Sequence, residues 1–183
     1  HAPQVSDAIR LTRKDTLAAP SAALLYHINT SITAYARYQQ GYRPGGLALD
    51  NRFLLAFEND RIRTAELGLR FGQQAASRFR GQISLSTSRW TDIQADVADE
   101  IGLPITDNIG NGTIRSAGID LSYAQSERFG IDAAFLWNKS RLTSATADLI
   151  SIVRDASLAD GRSSLPNVAD LKARLAVRAS GPL

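Results

Sequence analysis

Apolar and polar side chains alternate one by one along six stretches of the chain. Between Arg63 and Phe71, for example, alanine, leucine and phenylalanine take every second position and polar residues or glycine take the others. The pattern recurs at 31–42, 115–123, 129–137 and 170–178, and more weakly at 79–88. Because a β-strand sends successive side chains to opposite faces, each stretch predicts a strand with one apolar and one polar side. Such strands are typical of a transmembrane β-barrel wall.

The connections between the predicted strands alternate between short and long. The predicted strands lie at about 21–29, 31–43, 63–72, 79–94, 113–124, 129–142 and 168–179. Connections after the first, third and fifth strands are tight, whereas the others each have roughly 18–25 residues. Outer-membrane barrels have short periplasmic turns and long external loops. The sequence therefore predicts an all-β fold, an antiparallel meander of about seven strands forming part of a large transmembrane β-barrel.

Aromatic residues on the apolar face support the same interpretation. Those beside the short turns are Phe71, Phe79, Tyr123 and Phe129, and those toward the long loops are Tyr38, Tyr42 and Trp137. Aromatic side chains concentrate at membrane–water interfaces, so two such belts separated by small aliphatics indicate a lipid-facing wall. The alternative is a soluble β-sandwich that binds carbohydrate or protein through its long loops and has aromatics at its strand ends.

The opposite face is too polar for a protein core. Its charged members are Arg37, Glu66, Arg70, Asp120, Asp132, Lys172, Arg174 and Arg178. Charged groups are almost never fully buried unless they are paired, so this face is expected to meet water. In a large barrel that water fills the interior, and cross-strand ion pairs such as one between Glu66 and Arg37 are expected there.

The composition of the chain argues against several classes of function. The chain has 183 residues, a net charge of +3 and no cysteine. It lacks the apolar run of ~18 residues that a membrane-spanning helix requires, and its basic residues are scattered, unlike the patch of a nucleic-acid binder. No nucleophile–base set and no phosphate-binding glycine loop occurs, so we expect neither an enzyme nor a nucleic-acid partner.

Several blocks of sequence resemble TonB-dependent outer-membrane receptors. Residues 35–46, an aromatic-rich strand closing on Gly41-Tyr42-Arg43-Pro44-Gly45, resemble a strand-and-loop entry of that family. Residues 63–70 resemble its "tyr-glu-leu-gly" strand, with Ala65 where an aromatic is commoner. Residues 89–94, 111–121 (with Asp120 for the usual glutamate) and 165–168 resemble the blocks that follow, in the family's order.

This resemblance implies a large plugged barrel of the 22-strand class in the outer membrane of a Gram-negative bacterium. It also implies uptake of a scarce nutrient such as a ferric siderophore, contact with outer-membrane lipid, and a TonB-type energy-coupling protein that engages parts of the receptor outside this chain. We expect residues 1–20 to be a loop or frayed segment and residues 21–183 to be a partial barrel wall without a plug domain or a C-terminal barrel strand.

Ligand contacts are expected on the polar face and in the long loops. The candidates are Arg37, Gln39, Arg43, Asn51, Arg52 and Asn138. Arginine suits carboxylate- or catecholate-bearing chelates through its planar fork of donors. His27 stands alone on its strand, and the acidic residues between Asp92 and Glu100 match no calcium-loop spacing, so neither a metal site nor a cofactor is predicted.

Overall fold

One antiparallel sheet of seven strands dominates the computed structural model, which describes residues 16–50, 53–72, 77–98, 104–145, 164–165 and 168–180. The strands are β1 (Ser21–His27), β2 (Ile32–Arg43), β3 (Gly46–Asp50), β4 (Phe53–Phe57), β5 (Asp60–Phe71), β6 (Phe79–Thr91), β7 (Gln94–Ala98), β8 (Pro104–Asn108), β9 (Gly110–Ala124), β10 (Phe129–Ala145) and β11 (Leu171–Ala179). The main sheet has the order β1-β2-β5-β6-β9-β10-β11, and β3–β4 and β7–β8 are separate two-stranded hairpins. The seven-stranded meander predicted from the sequence is thereby confirmed.

The pairing register places the predicted apolar residues in continuous rows across the sheet. One row contains Leu24, Ala36, Leu67, Leu85, Ala117, Trp137 and Leu171. Because side chains alternate, every second position in each strand joins this face, which we call the outward face. Its large apolar side chains are exposed, Leu67 at 64% and Leu175 at 72%. The other side of the sheet, the inward face, carries the polar set predicted above.

Short turns connect the strands at one end of the sheet. Between β1 and β2, Oδ1 of Asn29 accepts hydrogen bonds from the backbone N–H groups of Ser31 and Ile32, at 2.8 and 2.9 Å. Between β9 and β10, Oγ of Ser126 accepts from the N–H of Phe129 at 3.1 Å. Asparagine and serine side chains commonly close turns in this way, which explains why these connections need so few residues.

The long connections are partly folded, which the sequence pattern did not indicate. The first contains the hairpin β3–β4 and the second contains β7–β8. Asp92, with φ of 53°, turns the chain between β6 and β7, a conformation that aspartate adopts more readily than most residues. Residues 51–52, between β3 and β4, lie outside the described part.

A small apolar cluster packs on the inward side at the hairpin end. Its buried members are Ile93, Ile109, Leu142 and Leu165, with Trp90, Ile114 and Val168 packed against them. The cluster anchors the base of the second hairpin to β9 and β10.

In the described residues there is no helix of the length and apolarity needed to cross a membrane.

Candidate functional site

A polar row crosses the inward face near the middle of the strands. The register sets Arg37 opposite Glu66, Glu66 opposite Ser86, Ser86 opposite Ser116 and Ser116 opposite Asn138. All five are hydrogen-bonding groups, and their strands are neighbours in the sheet. The row therefore forms a continuous polar band on the side of the sheet away from the exposed leucines.

Glu66 is held by partners on β2. Its Oε2 accepts a 2.9 Å hydrogen bond from Nη2 of Arg37, and its Oε1 accepts a 2.7 Å hydrogen bond from the hydroxyl of Tyr35. The predicted ion pair between Arg37 and Glu66 is therefore confirmed. The Arg37 side chain is still 45% exposed, so part of its guanidinium fork remains open to a ligand.

The ring of Tyr35 lies flat against the backbone of β5 because Gly68 has no side chain. A Cβ atom at Gly68 would sit 2.5 Å from the ring, closer than van der Waals contact allows. On the other side, the Arg70 guanidinium lies 4.7 Å from the ring centroid, a cation–π distance. Nε of Arg70 also donates to Oε1 of Gln82 at 2.9 Å. The glycine of the family-like block thus makes room for a stacked polar cluster.

A second polar cluster joins the bases of the two hairpins. Nε of Arg43 donates to Oδ2 of Asp60 at 2.7 Å, and its Nη2 donates to the backbone oxygen of Gln94 at 2.8 Å. Nε2 of Gln94 donates in turn to the carbonyls of Pro44 and Glu58, at 2.9 and 3.0 Å. Since Asp60 is 2% exposed and Gln94 is 9% exposed, this buried cluster holds the bases of the two hairpins together.

The predicted site residues divide into three groups. Arg37 and Gln39 lie on the inward face of β2 with exposed surface. Arg43 binds Asp60 and the backbone of Gln94, although 52% of its side chain is exposed. Asn138 is buried, with 7% of the residue exposed, and its Nδ2 donates to the carbonyl of Ala169 at 2.8 Å. Asn51 and Arg52 lie outside the described residues.

Two residues of the site were not among the sequence-based candidates for ligand contact. Tyr35 was not singled out, although its position beside Arg37 on an alternating strand made an inward ring the only geometric outcome. Arg70 was recognised as inward-facing, but its stacking on Tyr35 follows from Gly68 lying opposite Tyr35 in the register. An aromatic residue directly opposite a glycine on the neighbouring strand is the pattern from which the roles of Tyr35 and Arg70 could have been predicted.

No metal centre is formed by the described residues, which contain no group of three or more histidine, cysteine, aspartate or glutamate side chains suited to hold an ion. His27 contacts Thr33 instead, with 2.9 Å between Nδ1 and Oγ1. Asp96 accepts a 2.9 Å hydrogen bond from the Thr106 hydroxyl across the second hairpin. Asp99 and Glu100 lie outside the described part of the chain.

Comparison with known proteins gives a family match over almost the whole chain. The family model described as TonB dependent receptor-like, beta-barrel, matches residues 4–182. Among solved structures, the ferric yersiniabactin uptake receptor FyuA from Yersinia pestis is similar, with a TM-score of 0.54 and 19% sequence identity. The match covers 71% of this chain and 18% of that receptor. A search of the curated proteins found no significant match.

Proposed function

The chain belongs to the family of TonB-dependent receptor-like β-barrels, and from this membership we propose that it forms part of the wall of an outer-membrane transporter for a scarce small-molecule nutrient. In this proposal residues 21–183 are wall, and residues 1–20 are a loop or frayed segment. The plug domain, the C-terminal barrel strand and the segment that engages a TonB-type coupling protein belong to parts of the receptor outside this chain.

The outward face is the observation that carries the proposal. On β10 it runs from Phe129 to Trp137, eight residue steps that measure about 27 Å along a strand, or about 21 Å at the ~40° tilt of barrel strands. That height approaches the ~25 Å apolar band of outer-membrane barrels. Aromatic residues mark both ends, with Phe79 and Tyr123 paired on one side and Tyr38 on the other. Such a face is suited to lipid, and a water-soluble chain would gain nothing from exposing it.

The inward face supports a water-filled interior through which a polar nutrient passes. Arg37 and Gln39 face that interior and are the ligand contacts we propose. A ferric siderophore is the nutrient class that we favour, because an open arginine fork suits an anionic chelate and a similar structure is a ferric yersiniabactin uptake receptor. Asn51 and Arg52, in the connection between β3 and β4, remain part of the proposed ligand surface.

The soluble β-sandwich is the weaker alternative. It requires a second layer packed on Leu67, Ile119 and Phe135, which are 64%, 40% and 46% exposed in the described structure. Family membership also favours the barrel.

Accumulation of radioactive iron by iron-limited cells tests the transport proposal. Cells carrying the full receptor are compared with cells lacking it, and with cells that carry the receptor but lack the coupling protein, each supplied with a panel of ferric chelates. We expect receptor- and coupler-dependent accumulation of at least one chelate, and recovery of the receptor in the outer-membrane fraction. Recovery of the receptor in the soluble fraction would overturn the transport proposal. Recovery in the outer membrane without iron accumulation would overturn only the proposal that the nutrient is a ferric siderophore.

A further inference from the structure

The first hairpin, β3–β4, is separated from the main sheet by an interruption of the strand pairing. Regular pairing of β2 with β5 ends at Arg43 and Asp60, and residues 44–45 and 58–59 belong to no strand. We call these four residues the joint. Pro44 has no backbone N–H to donate, so it cannot continue the ladder across the joint. A few residues between two paired elements are a typical place for a hinge.

Gln94, the first residue of the second hairpin, binds both sides of the joint. Its Nε2 donates to the carbonyls of Pro44 and Glu58, at 2.9 and 3.0 Å. Its backbone oxygen accepts a 2.8 Å hydrogen bond from Nη2 of Arg43, directly before the joint. Gln94 is also buried. The carbonyls on both sides of the joint therefore receive hydrogen bonds from the neighbouring hairpin, where the ladder is interrupted.

Asn108, the last residue of the second hairpin, binds the same joint. Its Oδ1 accepts a hydrogen bond from the backbone N–H of Glu58, and its Nδ2 donates to the carbonyl of Glu58 at 3.1 Å. Nδ2 also donates to the carbonyl of Asp92 at 2.6 Å, within the base of the second hairpin. Gln94 and Asn108 lie directly opposite each other in the register. One cross-strand pair thus holds both backbone groups of Glu58.

The second hairpin is fixed to the sheet by contacts of its own. The N–H of Ile93 donates to the carbonyl of Gly110, and the N–H of Ile109 donates to the carbonyl of Ile93, both at 2.8 Å. Ile93 and Ile109 are buried in the apolar cluster that packs on β9 and β10. Among the described residues, no buried member of that cluster belongs to β3 or β4. The second hairpin can therefore keep its place without the first, but the first depends on the second.

The two hairpins also lie side by side beyond the joint. Both strands of the first hairpin, β3 and β4, are close to β8. A rotation of the first hairpin about the joint would separate these strands and break the hydrogen bonds of Gln94 and Asn108 together.

We propose that Gln94 and Asn108 are positioning residues, which hold the joint and thereby keep the first hairpin in the one orientation from which it contributes to nutrient binding. Neither residue has to touch the nutrient, because both act through the backbone of Pro44 and Glu58. The consequence for uptake rests on the proposed transport function, which assigns the connection between β3 and β4 to the ligand surface. A receptor that is competent to bind for only part of the time has its apparent affinity reduced by that fraction.

Hydrogen exchange in β3 and β4 of the full-length receptor in detergent tests the inference. The test variants are Gln94→Leu, which has a similar size and lacks the two donors, and Asn108→Ala. The matched control is Thr106→Val, which removes the 2.9 Å hydrogen bond from Thr106 to Asp96 inside the second hairpin and leaves the joint untouched. We expect each test variant to quicken exchange in β3 and β4 by at least ~10-fold, because carbonyls of the joint lose their donors. The control should leave that exchange unchanged.

Asn59→Ala tests whether the dependence is one-sided. Oδ1 of Asn59 accepts a hydrogen bond from the N–H of Gly45 within the joint itself. Its loss should quicken exchange in β3 and β4 but not in β7 and β8, since Ile93 and Ile109 still anchor the second hairpin. Equal acceleration in both hairpins would contradict the one-sided dependence.

The kinetics of radioactive iron uptake separate positioning from a general loss of structure. With the chelate that the uptake panel identifies, Gln94→Leu should raise the half-saturating concentration about fivefold if the freed hairpin is competent for a fifth of the time. The maximal rate should stay the same, and Thr106→Val should change neither value. A lower maximal rate with an unchanged half-saturating concentration would contradict the positioning role.

Unchanged exchange in β3 and β4 of both Gln94→Leu and Asn108→Ala would overturn the inference, as would an equal acceleration in Thr106→Val. The exchange measurement needs no nutrient, so it decides the inference even where no chelate of the panel is taken up. That last outcome would overturn the proposed ferric siderophore alone.

Discussion

The hydroxyl of Tyr35 donates a 2.7 Å hydrogen bond to Oε1 of Glu66 on the neighbouring strand, and this contact exists because its ring crosses a glycine. Gly68, directly opposite Tyr35 in the register, leaves the space that the ring fills. The same carboxylate accepts a hydrogen bond from Arg37. Gly68 therefore helps to orient Arg37, a proposed ligand contact, through Tyr35 and Glu66.

Replacing Gly68 with alanine should destabilise the receptor. The new Cβ would lie 2.5 Å from the Tyr35 ring, which would have to move and release Glu66. Overpacking of this kind costs about 1–3 kcal/mol. The free energy of unfolding in detergent measures it, and Gly41→Ala is the control because a Cβ there meets its nearest neighbour, Cγ2 of Ile62, at an ordinary 3.5 Å. Equal stability of the two variants would contradict the steric argument.

Replacing Asp60 with asparagine should loosen the base of the first hairpin. Asp60 is almost fully buried and accepts hydrogen bonds from both the backbone N–H and the Nε of Arg43, at 3.0 and 2.7 Å. Removing one charge of a buried pair is costly, but half of the Arg43 side chain is exposed to water, so we expect about 2 kcal/mol. Hydrogen exchange in β3 and β4 should quicken. Asp120→Asn, an exposed carboxylate on the same face, should leave that exchange unchanged.

Replacing Arg37 with glutamine should weaken binding of an anionic ferric chelate. Its exposed guanidinium can form charge-assisted hydrogen bonds that an amide cannot reproduce. We expect the half-saturating concentration for uptake to rise about tenfold, the equivalent of ~1.4 kcal/mol. Arg80→Gln removes the same charge from the inward face near the short turns and should have little effect. A similar rise of the half-saturating concentration in both variants would show that the charge of the interior matters in general, and would contradict a direct contact between Arg37 and the chelate.

Single cysteines introduced into β6 should show, by their reactivity, that one face of the strand contacts lipid and the other contacts water. Leu85 faces outward and is 62% exposed, while its neighbour Ser86 faces the polar interior. We expect Ser86→Cys to react with a membrane-impermeant, water-soluble thiol reagent, and Leu85→Cys to be protected in the membrane until detergent removes the lipid. The absence of cysteine elsewhere in this chain makes the labelling unambiguous within it. Rapid aqueous labelling of Leu85→Cys in intact outer membrane would refute the lipid-facing assignment.

The strands and their two faces could be predicted from the sequence because both depend only on a period of two. Consecutive residues such as Glu66 and Leu67 must point to opposite faces of a strand, whatever their neighbours are. Aromatic residues such as Phe79 mark the ends of the apolar band. The hairpin β7–β8 could not be predicted in this way, because five-residue strands in a long connection show too few alternations.

The candidate site was harder to predict for a related reason. Alternation places Arg43 and Asn138 on the inward face, but it does not show which side chains the returning loops will occupy. Arg43 binds Asp60 and the backbone of Gln94, and Asn138 binds the carbonyl of Ala169, all contacts across 17 or more positions of the chain. Both arginines are bound to a carboxylate and still keep exposed surface, with 45% of the Arg37 side chain and 52% of the Arg43 side chain exposed.

The unequal lengths of the strands reflect a stagger of their short-turn ends. β10 has 17 residues and β9 has 15, whereas β2 and β5 have 12 each. Near the hairpin end the register sets Gly41 of β2 and Leu142 of β10 in one row, but at the other end it sets Ile32, the first residue of β2, in one row with Ala133, four positions after the start of β10. A sheet that closes into a barrel needs such a stagger, because its strands tilt relative to the barrel axis. In a tilted wall, short turns that belong to different rows of the sheet can therefore reach the same plane.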